Sequence, residues 1–128
     1  MYPNDFVYTR DHEWIKVEGD EGLVGITDFA QHQLGDIIFV ELPQKGTEFG
    51  VHQSLGVVES VKSVSDIFSP VAGSVVAVNE ILSQTPDLLN KDPHGLGWIV
   101  RLKIKDRKGL DGLMKASDYE KYLEGLEA

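Results

Sequence analysis

The chain contains no cysteine. Disulfides, thiolate metal sites and cysteine nucleophiles are excluded, so any sulfur redox chemistry must arrive on an attached group. Cations are also scarce. Lys and Arg number 12 against 21 Asp and Glu, a formal net charge of −9. Such a balance disfavours nucleic acid and anionic membranes as partners; it serves solubility or steering toward basic clefts. No apolar run approaches the roughly 18 residues of a membrane helix. The opening MYPNDFVYTRDHEW has no apolar h-region and is not rich in Arg and Ser. Neither a secretion signal nor a transit peptide is expected, which points to a bacterial-type cytoplasmic chain or a mature mitochondrial form. His12, His32, His52 and His94 are scattered without metal-ligand spacing. No G-x-S-x-G elbow is present. Gly95-Leu96-Gly97 lacks the third glycine of a dinucleotide loop and opens a strand instead of a helix. No catalytic apparatus is visible.

What is present reads as one domain spanning residues 1–128. Thirteen glycines and five prolines among many valines and isoleucines predict short strands and tight turns. The apolar, β-branched centre is residues 56–80, GVVESVKSVSDIFSPVAGSVVAVNE, which reads as strand, tight turn, strand, turn, strand. Lys62 falls in the first reversal, among Ser60, Ser63 and Ser65, with Glu59 and Asp66 on either side. An ammonium on a flexible stem at a hairpin tip suits covalent modification. By composition and spacing alone such a lysine is usually a solubilising charge.

Around this centre, short strands are predicted over 6–8, 14–17, 23–26, 37–42 and 98–104. The last alternates apolar and charged residues. Glycines and acids over 18–22 predict a turn. Thr27 or Asp28 supplies an N-cap for a short helix over 29–34, ended by Gly35. Residues 83–89 read as a cap, a first-turn proline and one helical turn, and 90–97 as a loop. Leu110, Leu113 and Met114 mark a short amphipathic helix. Ser117 and Glu120 have capping-box spacing and open a last helix with Tyr122 and Leu123 as its apolar face. Residues 56–61 and 73–78 are alike and read as two equivalent strands of a sandwich.

The stretch ESVKSVSDIFSPVAGSVVAVNE resembles the lipoyl-attachment segment of the glycine cleavage system H-protein family. The likeness runs from about Tyr8 to Tyr122: HEW at His12, Glu13 and Trp14, VGITDFAQ over 24–31, LGDIIFVELP over 34–43, and PDLLNKDPHGLGW over 86–98. The resemblance implies a mainly β barrel-sandwich hybrid, with a lipoyl/biotinyl-like hairpin presenting the lysine and a few short helices, one of them C-terminal. It implies a non-catalytic carrier with lipoate in amide linkage to Lys62. The carrier would take the aminomethyl group of glycine from a pyridoxal-phosphate glycine decarboxylase (P-protein) to a tetrahydrofolate-dependent aminomethyltransferase (T-protein). A dihydrolipoyl dehydrogenase (L-protein) would reoxidise the arm, and a lipoate ligase or lipoyl/octanoyl transferase would attach it. Glu59, Ser60, Val61, Ser63 and Asp66 would flank the lysine for recognition. Glu13, Asp66 and Asp11 would line the cleft that receives the loaded arm, although each also reads as a turn cap or a solvated acid. His94 stands where the family usually has Tyr, Leu96 where it often has a small or acidic residue, and residues 50–55 lack the common lysine-glycine turn.

Other classes share part of this pattern. Lipoyl domains of 2-oxoacid dehydrogenases and biotinyl domains resemble DKA or MKM around their lysine, where this chain has Val61-Lys62-Ser63. A lipoate-relay donor keeps the same lysine. A degenerate interaction module would not need it.

Overall fold

The computed structural model describes residues 2–127; Met1 and Ala128, the ends of the expected domain, lie outside it. The order is β1 (Val7–Tyr8), β2 (Glu13–Glu18), β3 (Glu21–Ile26), α1 (Asp28–Leu34), β4 (Ile37–Glu41), β5 (Glu48–Phe49), β6 (Ser54–Ser60), β7 (Val64–Phe68), β8 (Gly73–Val78), α2 (Ile81–Gln84), α3 (Leu88–Lys91), β9 (Val100–Ile104) and α4 (Ala116–Glu127). The strands form a six-stranded antiparallel sheet, β1-β2-β3-β9-β8-β5, and a three-stranded one, β4-β6-β7. This is the sandwich that the sequence predicts; the two sheets share no strand and do not close into one barrel. The look-alike strands β6 and β8 lie in different sheets.

Period-two alternation decides which face each strand buries. In β9, Val100, Leu102 and Ile104 point into the core while Arg101 and Lys103 lie outside. Ile15, Val24 and Ile26 from the large sheet meet Val40, Val58 and Ile67 from the small one. Each fully buried aliphatic side chain stabilises the fold by roughly 1.5–3 kcal/mol. A second, aromatic cluster joins β1 and β2 to α4. Tyr8 stacks on Tyr119 at 4.8 Å, and Phe6 on Trp14 at 4.4 Å. The Trp14 indole donates to the carbonyls of Ile26 and Pro93, so its one polar atom is satisfied in the interior.

Four local expectations are corrected. Residues 83–89 do not form one turn: α2 ends at Gln84, Thr85 N–H closes it onto Ile81, and Pro86, lacking an N–H, starts the approach to α3. Asn90 and Lys91 are helical, not loop. Residues 107–110 make a single 3-10 turn, and Met114 is extended, exchanging two backbone hydrogen bonds with Tyr8 at the open edge of β1. Tertiary pairing there outweighs the helical spacing of Leu110, Leu113 and Met114. Helix α4 begins at Ala116, so Ser117 lies inside its first turn and no capping box forms at that serine. Its core-facing residues are Ala116, Tyr119 and Leu123, while Tyr122 is half-buried and donates to the Arg10 carbonyl.

Candidate functional site

Lys62 is exposed on the two-residue loop between β6 and β7 when the pairing of Ser60 with Ser63 is counted. Neither Val61 nor Lys62 has a positive φ, so this is not one of the primed turns usual at a tight hairpin. Ser60 compensates. It is buried at 5%, and its Oγ accepts from the N–H groups of Lys62 and Ser63. Its own N–H donates to the Ser63 carbonyl at 2.8 Å. Val61 and Val64 flank the lysine and are each 66% exposed. Glu59 sits in register between Phe39 and Val64, so acid and apolar side chains share one row beside the tip. Ser63 is exposed at the far side of the turn.

The tip rests on the α1–β4 connection. Val61 N–H donates to the Asp36 carbonyl at 3.0 Å. Thr27 caps the start of α1 by accepting from Ala30 N–H, and Gly35 closes its end with an N–H to Gln31. Gly35 has φ 80° and ψ −155°, a region that side chains with a Cβ avoid. The Lys62 stem lies against it, with Cε 3.5 Å from where a Cβ would stand. Gly35→Ala is expected to destabilise the fold by about 1–3 kcal/mol through backbone strain, with little steric part. Urea unfolding of the variant checks this; an unchanged midpoint would mean that the loop relaxes freely.

Beside the tip, between the sheets and α1, is a cavity of about 140 Å³. Its floor is apolar: Ile26, Ala30, Leu34, Val58 and Ile67. Its rim is polar, with Asp11, Glu13, Gln33, Ser65 and Asp66. The three carboxylates singled out in the sequence as arm-docking candidates therefore share one cleft. They differ in character. Glu13 is 3% exposed; its Oε1 accepts from Thr9 Oγ1 at 2.7 Å and its Oε2 from Phe68 N–H at 3.0 Å. Burial pushes its carboxyl up from 4.5 to about 7, against the two donated hydrogen bonds and with a further upward push from Asp11. Asp66 is exposed on β7 and accepts from Ser54 Oγ. Asp11 is exposed at the mouth, with His52 Nδ1 4.0 Å away.

Thr9 and Gln33 were not singled out in the sequence, Ser65 was named only as a neighbour of the lysine, and His12 only as a scattered histidine and in the HEW motif. Thr9 accepts from the backbone of Asp11 and Glu13 while donating to the Glu13 carboxylate, which folds residues 9–13 into the turn that aims Glu13 inward. His12 lies in the left-handed region at φ 70°. Its Nδ1 meets Tyr119 OH at 2.8 Å, and Tyr119 OH meets Thr27 Oγ1 at 2.7 Å, tying the cleft wall to α4. Burial lowers the pKa of His12. Only the nearness of His12 to Glu13 in the sequence could have pointed to it; the reach to α4 spans the length of the chain. His94 lies away from the lysine, where its Nε2 accepts from Asp28 N–H at the start of α1.

An apolar floor suits a hydrocarbon chain, and a carboxylate rim suits a cationic amine at its end. No group of three or more metal-binding side chains occurs among the described residues. Among them, no helix is long and apolar enough to cross a membrane.

Comparisons with known proteins show which family this chain resembles. The model of the family described as "Glycine cleavage H-protein" matches residues 6–126. The glycine cleavage system H protein of Carboxydothermus hydrogenoformans is 53% identical over 124 residues, covering 97% of this chain and 95% of the relative. That of Thermus thermophilus is 52% identical over 122 residues, covering 95% of each. A crystal structure of a glycine cleavage system H protein from Mycobacterium marinum superposes with a TM-score of 0.89 at 37% identity, covering 96% of this chain and 99% of that one.

Proposed function

Because the chain belongs to the glycine cleavage H-protein family, a non-catalytic component of that system, we propose that residues 1–128 form the lipoyl carrier domain, with lipoate in amide linkage to Lys62 Nζ. The carrier hands the aminomethyl group of glycine from the glycine decarboxylase (P-protein) to the aminomethyltransferase (T-protein), and returns to its oxidised form on the dihydrolipoyl dehydrogenase (L-protein). Lipoate supplies reversible disulfide chemistry, which a chain without cysteine cannot perform by itself. A lipoate ligase or lipoyl/octanoyl transferase encloses the tip and reads Glu59, Val61, Ser63 and Asp66, while the buried Ser60 contributes through the turn that it braces. The setting is the cytoplasm, and neither nucleic acid nor membrane is a partner.

The observation that carries this reading is an exposed lysine, held on a braced hairpin, beside a cleft with an apolar floor and a buried carboxylate. The protein's own residues then have distinct tasks. Ile26, Val58 and Ile67 exclude water from the cleft. Glu13 and Asp66 accept hydrogen bonds from a cationic amine, with Asp11 at the mouth. Glu13 Oε1 and Oε2 are preorganised by Thr9 and Phe68 N–H, so little reorganisation is needed when a cation arrives.

The test is a mass spectrum of the Lys62 peptide after the lipoylated, reduced chain has been mixed with glycine and a pyridoxal-phosphate glycine decarboxylase. A lipoyl-lysine carrying an added aminomethyl group is expected. Lipoyl without aminomethyl would move the assignment to lipoate relay or another lipoyl system. An unmodified Lys62, despite an active ligase and free lipoate, would overturn the carrier reading.

A further inference from the structure

We propose that Asn90, on α3 and remote in sequence from the hairpin, is a positioning residue for Lys62, acting through a single peptide group. Asn90 Oδ1 accepts from Ile37 N–H at 3.0 Å, and its Nδ2 donates to the Gly35 carbonyl and to Gln31 Oε1, each at 2.9 Å. These contacts bracket Asp36 on both sides. The peptide group between Asp36 and Ile37 is the decisive one. Its N–H is held by Asn90, and its C=O accepts from Val61 N–H, one residue before the lysine. A planar peptide carries these two groups on opposite edges. Fixing the N–H on the α3 side therefore aims the carbonyl at the hairpin tip.

Only a carboxamide can do this, because one end accepts and the other donates within the span of a single residue. A carboxylate lacks the donor for Gly35 and Gln31. The bracket also sets the neighbouring Gly35, against which the Lys62 stem rests. The hairpin's internal bonds are independent of it: Ser60 N–H donates to Ser63, and Ser60 Oγ serves Lys62 and Ser63. Asn90 thus governs where the tip sits, and the serines govern its shape. An unanchored tip must be ordered by each enzyme that encloses the lysine, so the effect belongs in KM instead of kcat.

The inference rests on the reading of Lys62 as the lipoylated residue, but its first readout does not. Amide hydrogen exchange is followed at Val61 and Ser60 by NMR in the wild-type chain without lipoate and in Asn90→Ala. Exchange at Val61 is expected to accelerate about fivefold, the worth of one hydrogen bond near 1 kcal/mol, with Ser60 unchanged. Asn90→Ser, too short to reach Ile37, replaces the alanine variant if that does not fold. Asn79→Ala is the control: Asn79 is buried where Asn90 is half-buried, and it donates to the Leu96 and Trp98 carbonyls, away from the hairpin. It should leave Val61 as in the wild type. Equal acceleration at Val61 and Ser60, or the same Val61 change in Asn79→Ala, would reduce Asn90 to general stability and overturn the proposal. Attachment of lipoate by a ligase is then measured. A KM raised several-fold for Asn90→Ala at unchanged kcat supports positioning, and unchanged KM overturns it. A wild-type chain that is not lipoylated at all, with Val61 selectively deprotected in the variant, would overturn the carrier reading and leave the anchoring role standing.

Discussion

Lys62→Arg is expected to abolish lipoate attachment and all glycine cleavage supported by this chain, while leaving the fold intact. The guanidinium keeps the positive charge but is not an acylable amine. The side chain is exposed and only its stem touches Gly35, so nothing in the core depends on it. The turn is organised by Ser60 through backbone groups that arginine also has. Surface substitutions of this kind change stability by less than about 0.5 kcal/mol. Mass spectrometry after treatment with a ligase and lipoate reads the first effect, a reconstituted glycine cleavage assay the second, and thermal unfolding the third. Retained glycine cleavage in the variant would sink the carrier mechanism. Lost cleavage with a lowered melting temperature would assign Lys62 a structural role that its exposure does not predict.

Glu13→Gln is expected to remove a stability change of about 3 kcal/mol with pH. The sign follows from the raised carboxyl pKa. Below about pH 4.5 Glu13 is protonated in folded and unfolded chains alike, and the stability it confers is fully present. Between 4.5 and about 7 the unfolded chain releases the proton while the buried group keeps it, so stability falls through this window. Each pKa unit corresponds to 1.36 kcal/mol. Asp11 lies beside the group and adds to the shift; the Thr9 hydroxyl and Phe68 N–H oppose it, and Asp66 shares the cleft. His12 and His94, whose pKa values are lowered by burial, change stability in the opposite direction as pH rises. The difference between wild type and variant therefore isolates Glu13. Urea unfolding at about pH 4.5, 6 and 8 measures it. Relative to the wild type, the variant should gain stability toward pH 8. A constant difference across this range would show that Glu13 ionises as an ordinary carboxyl. The same substitution takes the negative charge from the cleft, so an amine-bearing arm should be retained less well; aminomethyl transfer in a reconstituted system is expected to slow about 10- to 150-fold, as for a lost charge-assisted hydrogen bond of about 1.5–3 kcal/mol.

Much of this was legible in the chain itself. Alternation in residues 100–104, the β-branched runs around Lys62, and the cap and stop at Thr27 and Gly35 depend on near neighbours, so they appear in the order of residues. The absence of cysteine and of any nucleophile motif already directed attention to an attached group, and the ESVK context named the lysine. Asp11, Glu13 and Asp66 could be nominated together because several motifs resemble one family. What the order of residues did not contain is how unlike they are. Glu13, at the start of β2, is buried with its carboxylate accepting from the Phe68 N–H of β7; Asp66, on β7 itself, faces water. The pull of Tyr8 on Met114, the reach of Tyr119 to His12, and the hold of Asn90 on the lysine hairpin join residues far apart in the chain. Local propensity carries no record of such pairs, since their energies exist only once the two sheets and α4 have closed on one another. The sequence by itself determined the β architecture and the lysine to be displayed. The tertiary structure decided which carboxylate is desolvated and which distant side chains hold the hairpin, because burial and hydrogen-bond partners are properties of packed elements.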